Sequence, residues 1–299
     1  MAKLVECIPN FSEGRDLDVV EKLAAVAQSV AGVTLLDYSS DSSHNRSVFT
    51  LVGSPEGIEE AAFLLCKTAS ELIDLTKHTG EHPRMGATDV IPFVPVKDMT
   101  SAECVELSKK LGKRIADELN IPVFLYEDSA QKPDRVNLAT VRKGQFEGMA
   151  EKLTQENWDP DFGERKIHPT AGVVAVGARM PLIAFNVNLS TNDVEIANKI
   201  AKKVRAISGG FKFCKAMGVL LEDRNVAQVS MNMVNYEKTS LYTVFEAIKA
   251  EAKRWGVNII GSEVIGLTPA KALIDCAEYY LRIEDFDYQK QILENHLLG

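Results

Sequence analysis

Gly80-Glu81-His82-Pro83-Arg84-Met85-Gly86, continuing through Ala87-Thr88-Asp89 into Val90-Ile91-Pro92-Phe93-Val94-Pro95-Val96, is the stretch on which the fold reading turns. Upstream lies an amphipathic pattern that ends near Leu75, and downstream a strand-like apolar run. Two glycines and a proline within seven residues exclude a regular helix between them. The chain must bend there, and the bend carries an acid, an imidazole and a guanidinium. Reactive groups in a bend between two rigid elements are how catalytic residues are commonly presented.

Working outward, the upstream segments alternate in kind. Lys3 to Ile8 reads as a strand ended by Pro9, and Asn10 to Arg15 as a loop of turn and cap residues. Leu17, Val20, Leu23, Ala24, Ala27 and Val30 have helical spacing within Asp16–Val30. Val33–Tyr38 is a strand, Ser39–Asn45 a polar loop, and Arg46–Gly53 a second strand. Ser54-Pro55 then starts a helix by N-cap and first-turn logic. Past the bend come the Val90–Val96 strand, a helix over Ser101–Leu119 and a strand over Pro122–Tyr126. This order is β-α-β-β-α-β with an extra helix and strand, the split βαβ or ferredoxin-like order.

Residues 127–172 have no clean period and read as a long irregular segment, which marks a functional loop or linker. Val173–Val176 is a strand and Gly177-Ala178-Arg179 a turn. Leu182–Leu189, Asp193–Ala206, Ala216–Leu221, Val226–Val234, Ser240–Trp255 and Val257–Ser262 then repeat the order β-α-β-β-α-β, the middle strands joined by Glu222-Asp223-Arg224-Asn225. A helix from Pro269 to about Tyr280 and a last one over Ile283–Leu298 close the chain. The expected architecture is α+β, with two ferredoxin-like subdomains, 1–180 and 181–299, whose polar loops border a cleft.

Composition bounds the function. A chain of 299 residues with 45% hydrophobic and 25% charged residues builds a packed globular core. A formal net charge of -8 argues against a nucleic-acid binder, which shows a basic stripe. No apolar run approaches membrane-spanning length, and MAKLVECIPN lacks the apolar core of a signal peptide. Five scattered cysteines, none at C-x-x-C spacing, fit small buried hydrophobes in a reducing cytoplasm.

His82 is the sharpest chemical candidate, because imidazole both takes and gives a proton near neutral pH. A histidine that merely hydrogen-bonds its own loop is the competing reading. His78 and His82 are four apart, but Gly80 and Pro83 break the helix that an H-E-x-x-H metal site needs, so no metal is expected. No G-x-S-x-G elbow and no G-x-G-x-x-G fingerprint are present. Candidates for holding an anionic, amide-rich ligand are Asn10, Asn45, Arg46, Arg84, Arg179, Asn186, Asn188 and Asn232, with Gln228 nearby. Alternation puts Asn186 and Asn188 on one strand face, and arginine favours carboxylates.

VECIPNFSEG (5–14), HNRSVFTLVG (44–53), GEHPRMGATDVIPFVPV (80–96), PVFLYE (122–127), NWDPDFG (157–163), VGAR (176–179), LIAFNVNLS (182–190), LEDRNVAQVSMN (221–232) and GSEVIGLTPAKAL (261–273) together resemble the formiminotransferase domain family over essentially the whole chain. The resemblance implies a duplicated ferredoxin-like fold with a folate tunnel between the subdomains. It implies transfer of the formimino group from N-formimino-L-glutamate to N5 of tetrahydrofolate, in histidine degradation, by a cytoplasmic homodimer without metal. The family's catalytic histidine falls on His82, with Glu81 or Asp89 as possible orienters of its ring. Its folate-contacting loop falls on Gly163, Glu164, Arg165, Lys166, Ile167, His168, Pro169, Thr170, Ala171 and Gly172. No cyclodeaminase segment follows, so cyclodeamination is expected from a separate enzyme. Two other readings stay open: formyl transfer from 5-formyltetrahydrofolate to glutamate, and a non-catalytic folate-binding module.

Overall fold

Caps and apolar stripes set the helices of the first half. Asp16 accepts the Asp18 and Val19 amides and starts α1 (Leu17–Ser29), whose Val20, Leu23, Ala24 and Ala27 form one buried stripe. Ser54 caps α2 (Pro55–Leu72), with Pro55 in its first turn. Thr100 and Glu103 form a capping box on α3 (Ser101–Leu119), which ends at Asn120 in the left-handed region. The computed structural model describes residues 3–222 and 224–297. Asp223 of the expected turn, Leu298 of the expected last helix and residues 1, 2 and 299 of the expected subdomains lie outside them.

The chain divides into two compact units, Met1–Arg179 and Met180–Gly299. The strands of the first are β1 (Leu4–Cys7), β2 (Asn10–Phe11), β3 (Val33–Asp41), β4 (Arg46–Gly53), β5 (Thr88–Lys97), β6 (Val123–Glu127) and β7 (Val174–Ala178). They form one mixed sheet. β3 pairs with β4, and β1 and β2, split at Pro9, both lie between β4 and β5. β5 runs parallel to β7, and β7 to β6. The three helices cover one face, packing on Val5, Cys7, Phe11, Phe49, Leu51, Ile91 and Phe93. On the opposite face Glu6, Asn10, Arg46, Val48 and Thr50 are only half-buried. Part of that face is covered by a smaller cluster, in which Val141, Met149 and Leu153 meet Val90, Phe124 and Tyr126.

That cover corrects the irregular reading of 127–172. The segment holds a 3-10 turn at Pro133–Arg135, then α4 (Leu138–Arg142) and α5 (Gln145–Lys152). α4 is too short to show a period, and left-handed backbone at Gly144 (φ +96) and at Gln145 (φ +55), the first residue of α5, interrupts the two helices. Two more boundaries move. β3 runs on through Ser39 and Ser40 to Asp41 by backbone pairing with β4, and β7 includes the expected turn residues Gly177 and Ala178.

In the second unit, β8 (Ile183–Leu189), β9 (Cys214–Leu221), β10 (Val226–Met233) and β11 (Ile259–Ile265) form an antiparallel sheet in the order β11-β8-β10-β9. α6 (Val194–Val204) and α7 (Leu241–Arg254) pack on the face that carries Val187, Leu189, Val229 and Met231. After α8 (Ala270–Leu281) the expected single last helix is broken. Arg282 and Asp285 take positive φ, and Asp287 caps a fresh turn, giving α9 (Tyr288–Gln291) and α10 (Leu293–Leu297). Among the described residues no helix is long and apolar enough to cross a membrane.

Candidate active site

Close backbone approaches fix the bend. A Cβ on Gly80 would lie 2.4 Å from the His44 carbonyl oxygen, and one on Gly86 only 2.0 Å from that of Val173. Only glycine passes at either point. Asn45, at φ 48, braces the near side: its Oδ1 accepts the Gly14 amide at 3.0 Å and its Nδ2 donates to the Thr79 carbonyl at 3.0 Å. His82 is thus held between two crossings where the backbone cannot move apart without losing pairing.

Behind the bend sits a fully buried carboxylate. Asp89 Oδ2 accepts from Arg46 at 2.9 Å and from Arg142 at 2.6 Å, while Oδ1 accepts the Met85 amide at 2.9 Å. Arg46 also donates to Asn10 Oδ1, at 2.9 and 3.3 Å. Burial alone would raise the Asp89 carboxyl, but Arg46 and Arg142 hold it below the ordinary carboxylate range. Two guanidiniums against one carboxylate leave a surplus positive charge on this face.

His82 feels that surplus. Burial first, then the Arg46 and Arg142 charges, push its ring down to about 4, with Asp89 and the Pro83 carbonyl pulling the other way. The imidazole is therefore neutral at pH 7 and able to accept a proton. Its Nδ1 is buried without a well-formed hydrogen bond, as is Arg142 Nε. Buried polar atoms seldom stay unpaired, so these two mark where ligand atoms fit. The His44 ring lies 6.1 Å away, edge-on at 65°, and itself stands 3.0 Å from Asp41.

Arg84 is engaged elsewhere. Its guanidinium grips Glu147 with both arms at 2.6 and 2.8 Å, reaches Gln145 at 3.2 Å, and donates from Nε to His78 Nδ1 at 3.1 Å. Because His78 Nδ1 accepts, its Nε2 carries the proton and donates to the Asn45 carbonyl at 2.9 Å. The Arg84 carbonyl accepts the Phe146 amide at 2.9 Å. Arg84 therefore ties the bend to α5, the helix that follows Arg142.

The 163–172 segment runs beside the same bend. His168 and Gly172 exchange backbone hydrogen bonds, Gly172 bridges Gly86, and the Ala171 carbonyl takes the Ala87 amide at 2.9 Å. Thr170 offers its carbonyl to the Leu75 amide. Gly163 needs φ +90. Ile167 packs on the smaller cluster, while Glu164, Lys166 and Pro169 are exposed. Arg165 turns to the Leu153 and Gln155 carbonyls and to Asp159. Arg179, at the end of β7, donates its amide to the Phe93 carbonyl, and its charge opposes the burial that raises Glu6.

In the second unit, Gln228 Nε2 donates to Asn188 Oδ1 at 2.9 Å and to Glu263 at 2.7 Å. Asn186 donates to the same Glu263 oxygen at 3.2 Å. Asn232, exposed, lies further along β10.

The structure thus brings Asn10, Arg46 and His82 together and gathers Asn45 with Arg84 through His78. Asp89 grips arginines, with no hydrogen bond to the His82 ring, and Glu81 is exposed. The residues that sequence reasoning missed are Arg142, Glu147 and Glu263. Asp89 did carry a signal, since a carboxylate at the head of an apolar strand needs cations. Arg142 carried none. Among the described residues no group of three or more His, Cys, Asp or Glu could hold a metal ion.

Residues 4–179 match the model of the formiminotransferase domain, N-terminal subdomain, and residues 184–296 that of the formiminotransferase domain. The chain is 72% identical over 299 residues to a glutamate formimidoyltransferase of Streptococcus pyogenes serotype M1, covering all of both chains. It is 48% identical over 296 residues to a glutamate formimidoyltransferase of Thermoplasma acidophilum, covering 98% of this chain and 97% of that one. It is 45% identical to a formimidoyltransferase-cyclodeaminase of Mus musculus, spanning 94% of this chain and 53% of that one.

Proposed function

The chain belongs to the formiminotransferase domain family, and on that premise we propose that it transfers the formimino group from N-formimino-L-glutamate to N5 of tetrahydrofolate. The products are 5-formiminotetrahydrofolate and L-glutamate, in histidine degradation. The observation that carries this reading is the 72% identity to a glutamate formimidoyltransferase over the full length of both chains.

His82 serves as the proton carrier. Neutral at pH 7, it takes the proton that N5 loses as N5 bonds to the formimino carbon. It returns that proton to the glutamate nitrogen as the old carbon–nitrogen bond breaks. Such general acid–base help contributes about 10²–10⁴-fold, and holding both substrates in one site removes much of the entropic barrier. The buried His82 Nδ1, which makes no well-formed hydrogen bond, supports this role. Arg46 and Asn10 lie where they can receive a substrate carboxylate. Residues Gly163 to Gly172, anchored against the bend, contribute to folate binding.

The ferredoxin-like pairing of each unit, the subdomain limits 1–180 and 181–299, the folate tunnel that the family resemblance implies, a cytoplasmic location and a homodimer belong to the same proposal. The test is a spectrophotometric assay of the purified chain with tetrahydrofolate and formiminoglutamate, run beside 5-formyltetrahydrofolate with glutamate. Turnover of the first pair is expected. Turnover of the second pair alone, or folate binding without any turnover, overturns the reading.

A further inference from the structure

We propose that Arg142, together with Arg46 across Asp89, is the receptor for the α-carboxylate of the amino-acid substrate. The inference rests on the transfer reaction proposed above and assigns a role to a residue on α4. Both guanidiniums donate to the same oxygen, Asp89 Oδ2, and Asp89 Oδ1 is taken by the Met85 amide. Asp89 therefore has little left to offer either arginine. Arg46 also donates from Nε and Nη2 to Asn10 Oδ1, which leaves part of its five-donor fork for a second anion. Arg142 keeps a buried Nε with no partner, and its side chain is only 12% exposed.

A buried arginine with an unused donor, one cation in excess and a planar fork calls for a planar anion. The α-carboxylate is the suitable one. It is two bonds from the nitrogen that His82 must protonate, and Arg142 is close enough to His82 for its charge to act on the ring. The competing account makes Arg142 only a pin that fastens α4 to the sheet through Asp89.

The two accounts differ in what the imidazole experiences. The charged or titratable groups around His82 are Arg46 on β4, Asp89 on β5, Arg142 on α4, and His44 with Asp41 at the β3–β4 turn. A carboxylate seated between the arginines cancels their surplus charge, so the ring becomes a better base only when the amino-acid substrate is in place. A pin offers no such coupling.

The test compares formiminoglutamate with its α-amide on the wild-type chain and on Arg142→Gln and Arg142→Lys. With wild type, loss of the α-carboxylate is expected to cost about 10- to 150-fold in kcat/KM. Arg142→Gln should show a similar loss with the natural donor, mainly in KM, and no further loss with the α-amide. Its KM for tetrahydrofolate should be unchanged, and its acid limb of kcat/KM should move to higher pH. Arg142→Lys should recover part of the donor affinity. Equal use of both donors by wild type, retained discrimination by Arg142→Gln, or an unmoved acid limb overturns the assignment. Calorimetric binding of L-glutamate and of isoglutamine, its α-amide, reads the same preference without turnover. If wild type fails to turn over formiminoglutamate yet still prefers L-glutamate, the reaction reading falls and the receptor stands. If Arg142→Gln does not fold, the wild-type ligand pair decides alone.

Discussion

The sheet faces that lie opposite the main helix layers differ sharply in how their polar groups are paired. On the first, Arg46 and Arg142 converge on Asp89, and Arg142 Nε and the nearby His82 Nδ1 are buried without a well-formed hydrogen bond. On the second, Asn186 and Gln228 converge on Glu263, Gln228 also donates to Asn188, and none of these side-chain atoms is buried without a partner. Both sheets carry the two helices of the β-α-β-β-α-β order on their apolar side, with α3 added on the first. What separates them is charge: the first face is over-supplied with cations, the second is made of neutral amides closed on one acid. Pairing that is complete stabilises; pairing left incomplete in a buried place prepares for a ligand.

Substitutions can break that contrast. The largest effect is expected from His82→Ala, which should lower kcat by about 10²–10⁴-fold while folate binding persists. Single-turnover kinetics beside a folate titration measure both. Asp89→Asn should follow, since it leaves two buried guanidiniums without their carboxylate. A loss of about 3–5 kcal/mol in urea unfolding is expected. Arg84→Met removes the bidentate grip on Glu147 and the donor to His78. It should cost about 1–3 kcal/mol and raise hydrogen exchange in residues 138–152 before the rest of the first unit. Glu263→Gln keeps an oxygen acceptor for Gln228 and Asn186, so about 1 kcal/mol or less is expected from the same unfolding measurement. If Glu263→Gln proved costlier than Asp89→Asn, the contrast between the faces would be reversed.

Patterned segments were legible in the sequence, and sites made by distant contacts were not. Alternation in β4 and the stripe of α1 can be read residue by residue, because each repeats within a few positions. β3 extends past Tyr38, where the sequence shows no strand pattern, because Ser39, Ser40 and Asp41 are polar on both sides and pair with β4 through the backbone. α4 and the last helices failed for a different reason: single turns bounded by positive φ at Gly144, Gln145, Arg282 and Asp285 have no period to detect. In the site, the bend announced itself through Gly80, Pro83 and Gly86. The meeting of Arg46, Asp89 and Arg142 spans 43 and 53 residues of chain, and no local pattern encodes it.

The proton-carrying role of a neutral, arginine-flanked imidazole is tested most directly by titrating the His82 ring by NMR, assigned by its absence in His82→Ala, beside the kcat/KM profile of the wild type. Because the folded ring is pushed below its ordinary value, it should stay neutral until the pH falls toward about 4. Across the window from the unfolded value of about 6.5 down to 4, the folded chain binds fewer protons than the unfolded one, so its stability declines as pH falls. The account predicts that the ring titration and the acid limb coincide near the lower end of that window. A ring that titrates near the ordinary histidine value, or an acid limb that does not follow it, would contradict the account.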